Sequence, residues 1–327
     1  MEYFKLILVY FFLFSIIFYL SKIFKLVDAP NERKIHQFPI YNTGGLIIYL
    51  FYLLVVSQYE LNHNIELIIG VGFFVVLGGF IDDRKNIKPL TKILIILIPS
   101  AYLMYNGFLI KDLGTYEIIG PIYLGKFEIP FIILAIGLLV NATNYIDGID
   151  GLLLSFYSTC LIYYIYLVDD QELENLLLIL LVPIMFNFIL NFTNNKSGLK
   201  FFTGDTGSLF IGFFLCFITI ELYNNFKIHP TFLIWPLWYP IYDFLYVTSY
   251  RIKKRESFLK PDKSHFHQII FYKLKKNHFL TSLFFNLSNL TVLTCGYFLS
   301  THSKITSLTT FIVGFFLYSF LRLRIKN

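Results

Sequence analysis

Eleven apolar runs, most of them near the roughly 20 residues that a membrane-spanning helix needs, follow one another along this chain of 327 residues. They lie at 3–21, 44–59, 67–81, 92–106, 129–141, 151–168, 175–192, 207–223, 231–250, 279–299 and 304–321, the second, third and fifth being short. With 56% hydrophobic and only 15% charged residues, the chain is too apolar for an ordinary soluble domain. The expected fold is all-α: one polytopic membrane domain over 1–327 with about eleven transmembrane helices.

The first run lacks a small-residue cleavage site and is followed at once by Lys22 and Lys25, so it reads as a retained helix with the N-terminus outside. Alternation then makes 22–43, 82–91, 142–150, 193–206, 251–278 and the C-terminal 322–327 cytoplasmic. Counting Lys92 at its helix start, 22 of the 27 Lys and Arg fall on that side. Only Lys5, Lys111, Lys126, Lys227 and Lys304 remain outside, as the positive-inside rule requires. Cationic loops beside an anionic inner leaflet account for the net charge of +6, and a nucleic-acid partner is excluded. Cys160, Cys216 and Cys295 lie in apolar runs without metal-ligand spacing and read as core fillers. The external segment 107–128, with alternating residues around a Gly-Pro pair, predicts a small β-hairpin outside the membrane.

The same topology gathers five polar patterns on the cytoplasmic side. Asp82 and Asp83 end the third run side by side, and adjacent anions that stay ionised invite a divalent cation or basic partners; a solvated helix end is the bland alternative. Asn141, Asn144, Asp147 and Asp150 recur every three residues, forming one polar stripe on a helix or tight turn, with Gly148 and Gly151 permitting close backbone approach. Such a stripe is costly at a membrane surface unless it meets ligand, metal or water. In Thr-Gly-Asp-Thr-Gly-Ser (203–208), Asp205 reads as an N-cap, and the helix start it marks also suits phosphate and its metal. Asp243 falls inside an aromatic run, with Arg251 or Arg255 as the expected charge partner. His265 and His267 stand in the most basic loop, where imidazoles can bind or protonate phosphate.

In this order and on one side, these motifs resemble the polyprenyl-phosphate N-acetylhexosamine-1-phosphate transferases, the glycosyltransferase family that includes MraY, WecA, TagO and WbpL. The segment 28–45, with its Asp-x-Pro-Asn-x-Arg-Lys-x-His, Pro and Gly-Gly elements, resembles the first loop of the WecA-like branch. The histidine motif departs from the family's Arg-Asp-x-x-His-x-His-His, with Pro261 in place of the Arg and Gln268 in place of the last His.

The resemblance implies an enzyme of the phosphotransferase type (EC 2.7.8). It would transfer N-acetylhexosamine 1-phosphate, foremost GlcNAc 1-phosphate, from a UDP-sugar to undecaprenyl or another polyprenyl phosphate. UMP is released, and lipid-linked cell-envelope glycan synthesis begins. Mg²⁺, or Mn²⁺ in its place, is the implied cofactor, with Asp205 and Asp147 as its ligands. Asp82, Asp83, Asp147, Asp150 and Asp205 are the implied catalytic set. Asn141, Asn144, Lys92, His265, His267, Arg33, Lys34, His36 and Asp243 are the implied substrate contacts. The active site would face the cytoplasm from a bacterial inner membrane, with a homodimer left open. Other donors, UDP-FucNAc or UDP-QuiNAc types or UDP-MurNAc-pentapeptide, are the alternatives within the class, and a multi-pass transporter is the alternative outside it.

Overall fold

The computed structural model describes residues 2–30, 38–85, 87–194, 198–255 and 265–326. Helices dominate, as a chain with little water around it requires, because only internal hydrogen bonds can satisfy the backbone there. A helix lies over each of the eleven expected segments: α1 (Glu2–Ile23), α2 (Gly44–Val56), α3 (His63–Lys85), α4 (Pro89–Tyr105), α5 (Glu128–Ile146), α6 (Leu152–Leu167), α7 (Gln171–Asn191), α8 (Gly204–Asn224), the pair α9 (Pro230–Leu233) and α10 (Trp238–Lys254), α12 (His278–His302) and α13 (Lys304–Lys326). A short helix, α11 (Phe266–Lys273), precedes α12.

Among the described residues, seven helices are long and apolar enough to cross a membrane, and three more are apolar but shorter. The third and fifth are longer than expected, because polar residues at their ends, such as His63, Asn64 and Asp82 to Lys85, stay helical. The second remains short: its 13 residues span about 20 Å.

Helix α8 is the central column, packed against α2, α3 and α5, with nearly all its residues buried. Helices α1 and α13 lie at the periphery and keep most of their apolar surface outside the protein.

The ninth segment, expected as one helix, is broken. Pro236 and Pro240 carry no N–H for a helix ladder, and a 3₁₀ turn at Trp235–Leu237 separates α9 from α10. Two indoles pin the break: Trp235 Nε1 donates to Ser307 Oγ at 3.0 Å, and Trp238 Nε1 to Asn289 Oδ1 at 2.9 Å. Cys160 and Cys216 are buried as expected, but Cys295 is exposed, on a face of α12 turned away from the bundle.

The expected hairpin is present as β3 (Asp112–Tyr116) antiparallel to β4 (Gly120–Tyr123). His229 bonds the carbonyl of Thr115 at 3.1 Å, the Tyr223 hydroxyl donates to Asp112, and Glu117 accepts the N–H groups of Lys304 and Ile305 at the start of α13. These ties fix the hairpin at the end of the bundle opposite Asp82, Asp147 and Asp205. A second, unexpected ladder pairs β1 (Val27–Asp28) with β2 (Ile40–Tyr41). It holds Ile40–Tyr41 beside the segment before α8, where Phe202 N donates to Tyr41 O at 2.7 Å.

Candidate active site

The site is built around the start of α8. Glycines bring three helices to backbone contact there. A Cβ on Gly45 would stand 2.1 Å from Gly207 N, and one on Gly79 would stand 2.7 Å from Asp205 O. Gly44 and Gly45 also donate their N–H groups to the carbonyls of Phe202 and Thr203, each at 3.0 Å. Asp205 is not the N-cap that the sequence suggested. It lies in the first turn, and the capping carboxylate comes from α3: Asp83 accepts from Asp205 N at 2.9 Å, from Thr206 N at 3.0 Å and from the Thr206 hydroxyl at 2.7 Å.

Freed from capping, the Asp205 side chain turns towards α4 and α5. Its Oδ2 lies 2.7 Å from Lys92 Nζ, and its Oδ1 accepts from Asn144 Nδ2 at 2.5 Å. The same ammonium lies 2.7 Å from Asp82 Oδ2. One cation therefore bridges carboxylates from two helices, and Asp205, with 29% of its side chain exposed against 7% for Asp82, is the one open to an incoming group. Asn144 extends the network to Ser208 Oγ at 2.9 Å.

Asp147, the C-cap of α5, is held well above the usual carboxylate range by burial and then by the negative charges of Asp205, Asp83 and Asp150, with Thr203 beside it offsetting part of this. That repulsion is what a bound cation would relieve.

The stripe of four polar residues divides in space. Asn141 Nδ2 bonds the carbonyl of Gly137 in its own helix at 2.6 Å, and Asp150 turns to a second cluster. Its carboxylate pairs with Lys200, its N–H donates to His278 Nδ1 at 3.0 Å, and its carbonyl accepts from Ser282. The cause is local: Gly151 has a left-handed φ of 73°, a Cβ there would meet the Phe192 ring at 2.1 Å, and its N–H is held by Asn191. Lys200 went unnoticed in the sequence, although it stands in the same loop as Asp205.

The His-x-His pair is packed beside α5, where the rings of His265 and Tyr145 are 4.8 Å apart. Asp243 orients it. Asp243 Oδ2 lies 2.6 Å from His265 Nδ1, and Oδ1 accepts from Phe266 N, the Tyr318 hydroxyl and Arg322 Nη1. The guanidinium that meets Asp243 is thus Arg322 of α13, 79 residues along the chain, rather than the expected Arg251 or Arg255 two or three turns along the same helix.

His267 is fully buried. The Tyr239 hydroxyl accepts its backbone N–H at 3.0 Å and lies 2.8 Å from its Nδ1. Burial, with the neighbouring His265, pushes its pKa down to about 3, so it is a neutral hydrogen-bond donor at physiological pH. Arg33, Lys34 and His36 lie outside the described residues.

An apolar groove of about 800 Å³ runs between α3 and α4, lined by Leu67, Val71, Phe74, Leu94, Ile98 and Tyr102, and reaches Thr91 beside Lys92. Among the described residues no three His, Cys, Asp or Glu side chains are grouped to hold a metal ion. The donor set still suits Mg²⁺, which is commonly held by one or two carboxylates together with substrate phosphates and water. The Lys92 ammonium between Asp82 and Asp205 shows that this point favours positive charge.

Residues 65–223 match the family model of glycosyl transferase family 4. The chain is 30% identical over 284 residues to the undecaprenyl-phosphate alpha-N-acetylglucosaminyl 1-phosphate transferase of Escherichia coli K12, covering 81% of this chain and 75% of that protein. The enzyme of the same name from Yersinia pestis is 29% identical over 280 residues, 80% and 75% of the two chains. A probable undecaprenyl-phosphate N-acetylglucosaminyl 1-phosphate transferase of Bacillus subtilis is 28% identical over 248 residues, 74% and 68%. By these matches the chain belongs to glycosyl transferase family 4.

Proposed function

We propose that the protein transfers N-acetylglucosamine 1-phosphate from UDP-N-acetylglucosamine to undecaprenyl phosphate, at the cytoplasmic face of a bacterial inner membrane that it crosses eleven times. The names of its relatives support the reaction, and the orientation rests on the distribution of Lys and Arg. One observation carries the reading: the Lys92 ammonium bridging Asp82 and Asp205, open on the Asp205 side and next to the apolar groove between α3 and α4. Both reactants are phosphate esters, one with a long apolar tail. A cationic point between carboxylates at the mouth of an apolar groove suits their meeting.

In this reading an oxygen of the lipid phosphate attacks the β-phosphorus of the nucleotide sugar. The bond from that phosphorus to the bridging oxygen breaks, and UMP leaves with that oxygen and its charge. Lys92 meets the incoming phosphate, and Asp82 holds the ammonium in place. Asp205 and Asp147 would hold Mg²⁺, which would offset the charge of the diphosphate. Asn144 keeps Asp205 aimed at the opening. His265, fixed by Asp243, and His267 beside it form the segment that meets the sugar nucleotide. A transporter finds no support, since the family is one of glycosyl transferases and the carboxylates gather at one end of the bundle instead of at mid-depth.

The test is UMP release by purified protein in detergent, given undecaprenyl phosphate, Mg²⁺ and a panel of UDP-sugars, for the wild type and Asp205→Asn. UMP that depends on lipid and Mg²⁺, appears with UDP-N-acetylglucosamine and is lost in the variant is the expected result. UMP with a different sugar only would reassign the donor. None with any sugar, from folded protein, would overturn the reaction.

A further inference from the structure

Asp82 and Asp83 are neighbours in sequence but not in what they face, because successive residues of a helix are turned by about 100°. Asp82 faces Lys92. Asp83 faces the start of α8, where both its oxygens are engaged by three donors from Asp205 and Thr206. Gly204, with a φ of 68°, closes the remaining side: a Cβ there would stand 2.7 Å from Asp83 Oδ2. To accept a substrate proton or bind a cation, Asp83 would first have to release the helix end that carries Asp205.

We propose that Asp83 is a positioning residue: through the amides of Asp205 and Thr206 it aims the Asp205 carboxylate at Lys92, and it takes no proton and binds no metal itself. This rests on the transferase reading above and assigns the two members of the acidic pair different work.

The experiment compares Asp83→Asn, which keeps one acceptor oxygen, with Asp83→Ala, which keeps none, alongside the same two changes at Asp82. The expected kcat falls by about 10- to 100-fold in Asp83→Asn and further in Asp83→Ala, with the KM for the UDP-sugar nearly unchanged. At Asp82, both changes remove the charge that faces Lys92 and should be the more damaging for kcat, Ala adding only the loss of the bond that Asp82 Oδ1 accepts from Ile87 N at 2.9 Å. Hydrogen exchange of the segment 203–209, read by mass spectrometry, reports the cap without any activity. Protection should be partly kept with Asn and lost with Ala.

If Asp83→Ala does not fold, Thr206→Val removes the hydroxyl donor alone and should lower kcat and loosen the same amides by a smaller amount. Equal inactivity of the Asn and Ala variants with exchange unchanged would overturn the proposal, and so would wild-type kcat in either. A wild type that releases no UMP would sink the reaction instead, and the exchange data would still decide whether Asp83 holds the α8 start.

Discussion

Replacing Lys92 with Met removes the ammonium that lies between Asp82 and Asp205 while keeping most of the volume of the side chain. Each carboxylate oxygen lies 2.7 Å from Nζ, so the two are at most about 5 Å apart. At an effective dielectric near 20, two unit charges at about 5 Å repel by about 3 kcal/mol. Water reaching Asp205, 29% exposed, trims this to about 2 to 3 kcal/mol of lost stability at pH 8. The same change removes the charge proposed to meet the lipid phosphate, so UMP release should fall by at least about 100-fold.

The assay is the midpoint of thermal unfolding in detergent, with and without millimolar Mg²⁺. A divalent cation can replace the missing charge between the carboxylates, so Mg²⁺ should raise the midpoint of Lys92→Met more than that of the wild type. An unchanged midpoint in the variant, or equal Mg²⁺ effects in both proteins, would refute the electrostatic account of this site.

Two further outcomes follow from the packing and from the buried imidazole. Gly45→Ala puts a Cβ 2.1 Å from Gly207 N and must part α2 from α8, at a cost of about 3 kcal/mol or more, whereas Gly70→Ala, with nothing within 4 Å, should be neutral; folded yield and unfolding midpoint read both. His267, with a pKa of about 3 in the fold against an ordinary 6.5, excludes a proton that the unfolded chain accepts, so its contribution is complete above pH 6.5 and lost as pH falls towards 3. Between pH 7 and pH 4.5 that loss is about 3 kcal/mol, and His267→Gln should flatten this part of the stability profile; equal acid sensitivity in the two proteins would count against it.

Much of this architecture was legible in the amino-acid order. Apolar runs of spanning length become helices because the backbone has no other way to satisfy its polar groups in lipid, and a helix lies over every such run. The hairpin was legible from Gly-Pro and alternation, and the candidate site from acidic and amide residues at fixed spacing near the ends of apolar runs. Local rules also erred in local ways. They made one helix of 231–250, where Pro236 and Pro240 break it, and they assigned the α8 cap to Asp205 when Asp83 supplies it.

What only the tertiary structure decided is which charge meets which. Asp150 stands three residues from Asp147 yet pairs with Lys200, Asp243 is met by Arg322, and one lysine joins Asp82 to Asp205. A residue's spacing along its own helix sets the face it occupies. Its partner depends on how closely two helices approach, and here that approach is set by glycines such as Gly45, Gly79 and Gly207, whose missing side chains matter only once the helices have met.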